Sequence, residues 1–133
     1  MNTNKHKEIG FNNISDKIHN FLDERDRLVT KNDSRSVAIS ISLEANELLE
    51  HFQWNEKTSS SKKELSDELA DVLIYCFQFA DIFDIDIPTA IIKKLKEQEK
   101  KYPAELFKGK NSNVSDDAWV KAKISYNKQK DTL

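Results

Sequence analysis

Cysteine occurs once in these 133 residues, at Cys76, so no intramolecular disulfide can form. Its setting in an apolar helical segment reads as core. Glycine and proline occur twice each, which leaves few chain breakers and excludes loop-rich or low-complexity architectures. With 33% charged residues, the composition reads as a mostly helical chain with short connections. No apolar run is long enough for a membrane span, and there is no signal-peptide pattern, so a cytoplasmic protein without a membrane partner is expected. No excess of one charge exists either: the formal net charge is −2. A nucleic-acid partner, which wants a broad basic face, is therefore not expected. No repeat at solenoid period is present. The length suits one domain with a sizeable core.

The small net charge conceals a polarity. Residues 42–71 carry eight acids against three lysines, whereas residues 93–110 carry seven lysines against three acids. An acidic zone and a basic zone in one small domain suit a metal-bound anionic ligand.

Apolar periodicity divides the chain into helices. Residues 1–10 are polar and aperiodic, a flexible tail. Phe11 to about Val29 reads as an amphipathic helix, and Asn32-Asp33-Ser34 offers N-cap chemistry for a second helix from Arg35 to about Asn55. Thr58–Ser61 is a linker, and Ser61 with Glu64 has capping-box spacing for a third helix ending near Phe83. Asp86 precedes a fourth helix with Pro88 in its first turn, which runs to about Tyr102 and is closed by Pro103. The helical domain covers 11–110. Residues 111–133 are a C-terminal extension in which 116–129 can form a short helix.

Within these helices stand two Glu-x-x-acid pairs: Glu44 with Glu47, and Glu68 with Asp71. Residues three apart on a helix share a face. On a wheel of the second helix, the core stripe is Val37, Ala38, Ile41, Ala45, Leu48, Leu49 and Phe52. Ile39, Leu43 and Trp54 form a second apolar strip, and Glu44 and Glu47 fall between the two. On the third helix the stripe is Leu65, Leu69, Val72, Leu73, Cys76, Phe79, Ala80 and Phe83, with Glu68 and Asp71 at its edge. Side by side, the two helices would aim four acids into one volume, and hard divalent cations are the simplest reason to build such a site. A single Glu-x-x-Glu is common on solvated helices; two pairs abutting apolar stripes are not. The lysines of the fourth helix, taken alone, read as a solvated face. His51 follows Glu47 by four, and a lone His beside an aromatic is ordinarily structural, so it receives no site role.

The run from Ser40 to Trp54, then Asp67-Glu-Leu-Ala-Asp-Val-Leu-Ile-Tyr75, Asp86-Ile-Pro-Thr-Ala90, Lys94 and Lys101-Tyr-Pro103, closely resembles the MazG-like all-α nucleoside triphosphate pyrophosphohydrolases, in particular their dCTP-pyrophosphatase-like branch. The resemblance covers roughly 35–110. It implies a four-helix core, a homodimer or dimer of dimers, and Mg²⁺-dependent cleavage (Mn²⁺ as substitute) of a (deoxy)nucleoside triphosphate to monophosphate and pyrophosphate, as in nucleotide-pool house-cleaning. Its metal-binding pattern falls on Glu44, Glu47, Glu68 and Asp71. The base-contacting Trp falls on Trp54 and the phosphate-side Lys on Lys94, with Gln98, Lys101 and Tyr102 on the substrate side. Glu47 is the expected catalytic residue, orienting or activating water. Gln98 stands where relatives often carry Asn, and Leu28 and Asn32 stand where the nearest relatives carry Trp and His. The resemblance therefore does not extend to a particular base.

Two other readings remain at this point. A carboxylate-bridged di-iron bundle also clusters Glu in a helix core, but it needs Glu-x-x-His pairs, which this chain lacks. A non-catalytic nucleotide-binding or interaction module is the other, and the presence of all four acids argues against it.

Overall fold

The computed structural model describes residues 10–54, 58–109 and 112–130, the side chains of 112–116 excepted. Among these, all regular structure is helical, as the composition predicts. The helices are α1 (Phe11–Asp23), α2 (Ser34–Glu50), α3 (Lys62–Ile82), α4 (Ile87–Lys101) and α5 (Ser112–Lys130), with 3₁₀ turns at Lys31–Asp33 and Ala104–Leu106. The tail expected over 1–10 lies outside the described residues except for Gly10, as does Asn55. The chain forms two compact units, Met1–Ile87 and Pro88–Leu133. No described helix is long and apolar enough to cross a membrane.

In the first unit, α3 packs against both α2 and α1. It begins at the capping box read from the sequence. The Ser61 hydroxyl accepts from the Glu64 N–H at 3.2 Å, and the Glu64 carboxylate accepts from the Ser61 N–H at 2.7 Å. Two otherwise orphaned donors are thereby satisfied. The Glu64 carboxyl is held below its ordinary range chiefly by that backbone hydrogen bond.

Two helices end earlier than the periodicity reading has them, for local reasons. Helix α1 stops at Asp23 rather than near Val29 because Asp26 adopts a left-handed conformation (φ 51°). The N–H groups of Arg27 and Asp26 then donate back to the carbonyls of Leu22 (2.9 Å) and Asp23 (3.1 Å), a Schellman closure. The same device ends α3: Asp84 has φ 54°, and Ile85 N–H donates to the Ala80 carbonyl at 2.9 Å. Helix α2 ends at Glu50, where i→i+3 bonds from Phe52 to Leu49 (2.9 Å) and from Gln53 to Glu50 (3.2 Å) tighten the chain into turns. At its start, Asp33 occupies the N-cap without a side-chain cap bond. A 3₁₀ turn feeds the helix instead, and Ser34 and Ser36 donate to the carbonyls of Lys31 (2.8 Å) and Asp33 (2.7 Å). Helix α5 exceeds the expected 116–129 at both ends.

The core is smaller than the apolar stripes suggest. On α2, Val37 is 2% exposed and Ile41 and Leu48 are half-buried, but Leu49 and Phe52 stay exposed. On α3, Leu69 and Leu73 are exposed while Phe77 and Gln78, both outside the expected stripe, are buried. The reason is that α1 covers a second face of α3. Phe11 stacks on Phe77 with ring centroids 5.7 Å apart, and His19 Nδ1–H donates to Asp81 Oδ2 at 2.7 Å.

In the second unit, the last turn of α4 closes with Tyr102 N–H on the Gln98 carbonyl at 2.7 Å. Pro103, which cannot continue the helix, leads into the 3₁₀ turn. Tyr102 stacks on Trp119 of α5 at 3.8 Å and 12°, and Phe107 meets both rings edge-on.

The His19–Asp81 pair carries a pH signature. The hydrogen bond to Asp81 raises the imidazole pKa above 6.5, its charge adds to this, and Asp23 and Asp16 contribute further. A raised folded-state value means stability that is complete below 6.5 and is lost as pH rises through the folded value. Thermal unfolding should therefore show a fall in Tm between about pH 6 and 8 that His19→Gln removes. An identical slope in His19→Gln would assign the fall to other groups.

Candidate metal centre

The pairing of α2 with α3 brings acids from both helices together. Glu44 on α2 and Glu68 on α3 are half-buried, and Asp71 on α3 is exposed; one carboxylate oxygen from each lies within 4.8 Å of the others. The i,i+3 spacing sets Glu68 and Asp71 on a single face of α3, and their convergence with Glu44 turns that face to α2. Glu47 is exposed and outside this trio, one turn beyond Glu44.

Such an arrangement is electrostatically expensive. The Glu44 carboxyl is pushed above its ordinary range, first by burial and then by the negative charges of Glu47, Asp71 and Glu68. The other three acids are thus felt at the Glu44 carboxylate. An all-carboxylate donor set is the chemistry of a hard divalent cation. Two oxygens on one Mg²⁺, each at 2.0–2.1 Å, stand no more than ~4.2 Å apart, so the trio needs only small side-chain movements to close on one ion. The residues fit the group. Glu44, Glu68 and Asp71 would hold it, and its positive charge would cancel the repulsion that lifts Glu44.

The other expected site residues belong to other elements. Trp54 ends the turns after α2 and is 84% exposed. Lys94 and Gln98 belong to α4 in the second unit; Lys94 pairs with Glu97 at 3.7 Å, and Gln98 is half-buried. Lys101 lies over the rings of Tyr102 (5.3 Å) and Tyr126 (5.8 Å), so it and Tyr102 both belong to the aromatic cluster. One contact of the trio was not legible in the sequence: His51 Nε2 lies 3.6 Å from Glu68 Oε1, and His51 Nδ1 lies 2.6 Å from the Ser60 hydroxyl. No spacing rule joins residues 51, 60 and 68, because a turn and a linker separate them.

The sequence profile of the MazG-like family matches residues 39–116, which include all four acids. A dCTP pyrophosphatase 1 from Mus musculus is 31% identical over 90 residues, covering 62% of this chain and 53% of its own length. The Homo sapiens dCTP pyrophosphatase 1 is 28% identical over the same shares. The chain thus spans about half the length of the curated relatives it matches. Among solved structures, a pyrophosphatase from Archaeoglobus fulgidus is 36% identical, with a TM-score of 0.61 over 69% of this chain and 91% of that one.

The raised Glu44 pKa yields a test. An acid with a raised folded-state value destabilises the fold only when ionised. The cost is absent below 4.5 and grows as pH rises through the folded value. Glu44→Gln should therefore have a higher Tm than wild type without metal at neutral pH, and the gap should close toward about pH 4.5. The variant should also lose the Tm increase that Mg²⁺ gives wild type. A Glu44→Gln protein that Mg²⁺ stabilises as well as wild type would remove Glu44 from the metal centre.

Proposed function

The chain belongs to the MazG-like family, and from that premise we propose that it is a hydrolase that cleaves a (deoxy)nucleoside triphosphate to the monophosphate and pyrophosphate. The observation that carries this reading is the convergence of Glu44, Glu68 and Asp71 between α2 and α3. A phosphate-bearing substrate would be repelled by that cluster alone, so the reaction requires a divalent cation there, Mg²⁺ first and Mn²⁺ in its place. When bound, the cation neutralises phosphate charge and stabilises the charge that develops during cleavage. The all-carboxylate donor set favours it over iron.

The chain's own groups divide the remaining work. Glu47 stays exposed beside the trio, next to Glu44, where a carboxylate can join the cation's ligands or accept the proton of the attacking water. Trp54, exposed in the turns after α2, offers a ring on which a base can stack, a contact worth ~1–3 kcal/mol. Lys94, mostly exposed on α4, carries the positive charge suited to a departing pyrophosphate, and the family resemblance assigns Gln98, Lys101 and Tyr102 to substrate binding as well. The likeness to proteins named dCTP pyrophosphatase supports a deoxynucleotide substrate, and we read such an activity as nucleotide-pool house-cleaning.

The assembly we propose is a homodimer or a dimer of dimers. Ile39 and Leu43 on α2 and Trp54 in the turns that follow it are all exposed, as are Leu69 and Leu73 on α3. A surface of that kind beside the acids is most simply covered by a second copy across a two-fold axis.

Two measurements test the proposal. Pyrophosphate release, followed with a coupled inorganic pyrophosphatase over a panel of nucleotides, should require Mg²⁺. It should fall about 100-fold or more in Glu47→Gln with the fold retained. Release that persists in excess EDTA, or at wild-type rate in folded Glu47→Gln, would sink the metal mechanism or the role of Glu47 respectively. By sedimentation equilibrium, Leu43→Lys should dissociate the oligomer. A fully active wild-type monomer at micromolar concentration would exclude a shared site.

A further inference from the structure

The contact between His51 and Glu68 is not explained by packing alone. His51 is the residue that ends α2, and Ser60 immediately precedes the N-cap of α3. One imidazole ring therefore spans both ends of the α2–α3 connection. Its Nδ1 lies 2.6 Å from Ser60 Oγ, while its Nε2 lies 3.6 Å from Glu68 Oε1. The His51 side chain is 19% exposed and that of Glu68 25%, so water competes little for either group. Ser60 is fixed in turn, its N–H donating to Thr58 Oγ1 at 3.0 Å.

We propose that His51 is a positioning residue for the metal centre: the Ser60 hydroxyl donates to Nδ1, which fixes the Nε2–H tautomer and directs that N–H at Glu68 Oε1. This rests on the metal reading above. The chemistry follows from the donor inventory. Neutral imidazole carries one N–H and one bare nitrogen, and the bond made by one decides the state of the other. A hydroxyl proton on Nδ1 leaves the ring proton on Nε2, where it faces an acceptor-only carboxylate. At 3.6 Å this is a charge–dipole contact rather than a hydrogen bond. It nevertheless favours one orientation of the carboxylate and leaves the other lone pairs of Glu68 for the cation shared with Glu44 and Asp71. Partners of this kind behind a ligand set its orientation, and their loss typically costs 10–100-fold in metal affinity. Because both helix ends meet at the ring, the same contact also ties the position of Glu68 on α3 to the end of α2.

The test uses the whole chain and Mn²⁺ alone, without nucleotide, with free Mn²⁺ read by electron paramagnetic resonance. His51→Leu should weaken binding about 10-fold or more, whereas His51→Gln, which restores an N–H near the Nε2 position, should stay within a few-fold of wild type. Nitrogen-15 NMR of the metal-free protein should show His51 as the Nε2–H tautomer in wild type and as a mixture in Ser60→Ala. Equal binding by wild type and His51→Leu would overturn the inference and leave the metal centre standing. Equal loss in His51→Leu and His51→Gln would reduce the ring to packing and overturn it as well. Wild type that binds no Mn²⁺ would overturn the metal reading and this inference with it. If His51→Leu does not fold, the tautomer and Ser60→Ala decide: a Nδ1–H ring in wild type, or unchanged Mn²⁺ binding in Ser60→Ala together with an unchanged tautomer, rejects the proposal.

Discussion

Mutual repulsion among carboxylates held between α2 and α3 is the constraint to which much of the first unit answers. Burial first, and then the negative charges of Glu47, Asp71 and Glu68, lift the Glu44 pKa, and the repulsion works against the packing of the helices that carry these acids. Helix pairing must supply what the charges remove. Val37 is buried at the start of α2, the Ser61–Glu64 capping box fixes where α3 begins, and His51 with Ser60 ties the two ends of the connection together. A site assembled this way is poised to gain from a cation, because charge neutralisation relieves a strain already built into the fold.

Helix α3 is the element through which the unit is organised. Glu68 and Asp71 near its start join Glu44, while its C-terminal half carries Phe77 and Asp81, which receive Phe11 and His19 of α1. The buried residues of α3, Phe77, Gln78 and Ala80, lie in the half that meets α1, and the part that carries Glu68 and Asp71 keeps Leu69 and Leu73 in water. Exposed apolar side chains flanking an acidic cluster describe a surface with two requirements, an ion for the acids and a covering for the apolar strip.

The second unit is held by aromatic rather than acidic chemistry. Tyr102, Phe107 and Trp119 form a stack-and-edge cluster that seats α5 on the end of α4, with the Lys101 ammonium over two of the tyrosine rings. The Tyr102-Pro103 stop therefore closes a helix and anchors the next one. A substrate role for Lys101 and Tyr102 has to be compatible with these contacts, whereas Lys94 is restrained only by a surface ion pair of the kind worth little.

Local rules acting within a few residues carried much of the reading from sequence. Helical class followed from the scarcity of breakers, the Ser61–Glu64 cap from its spacing, the start of α4 from Asp86 and Pro88, and the acid pairs from i,i+3 geometry. The end of α1, set by a backbone torsion, was hidden, because Asp26 adopts a conformation usually signalled by glycine, whereas the end of α3 was read to within a residue. Periodicity marks which side chains are apolar but not which neighbour covers them, so Phe77 and Gln78 were missed and Leu69 and Leu73 were taken for core. The sequence by itself determined the carboxylate chemistry and the helices that bear it, since both depend on spacing along one chain segment. Only the tertiary structure decided that Glu44, Glu68 and Asp71 converge while Glu47 stands apart, and that His51 reaches Glu68. Those distances depend on the register of two helices, which is set by packing and capping between residues far apart in sequence.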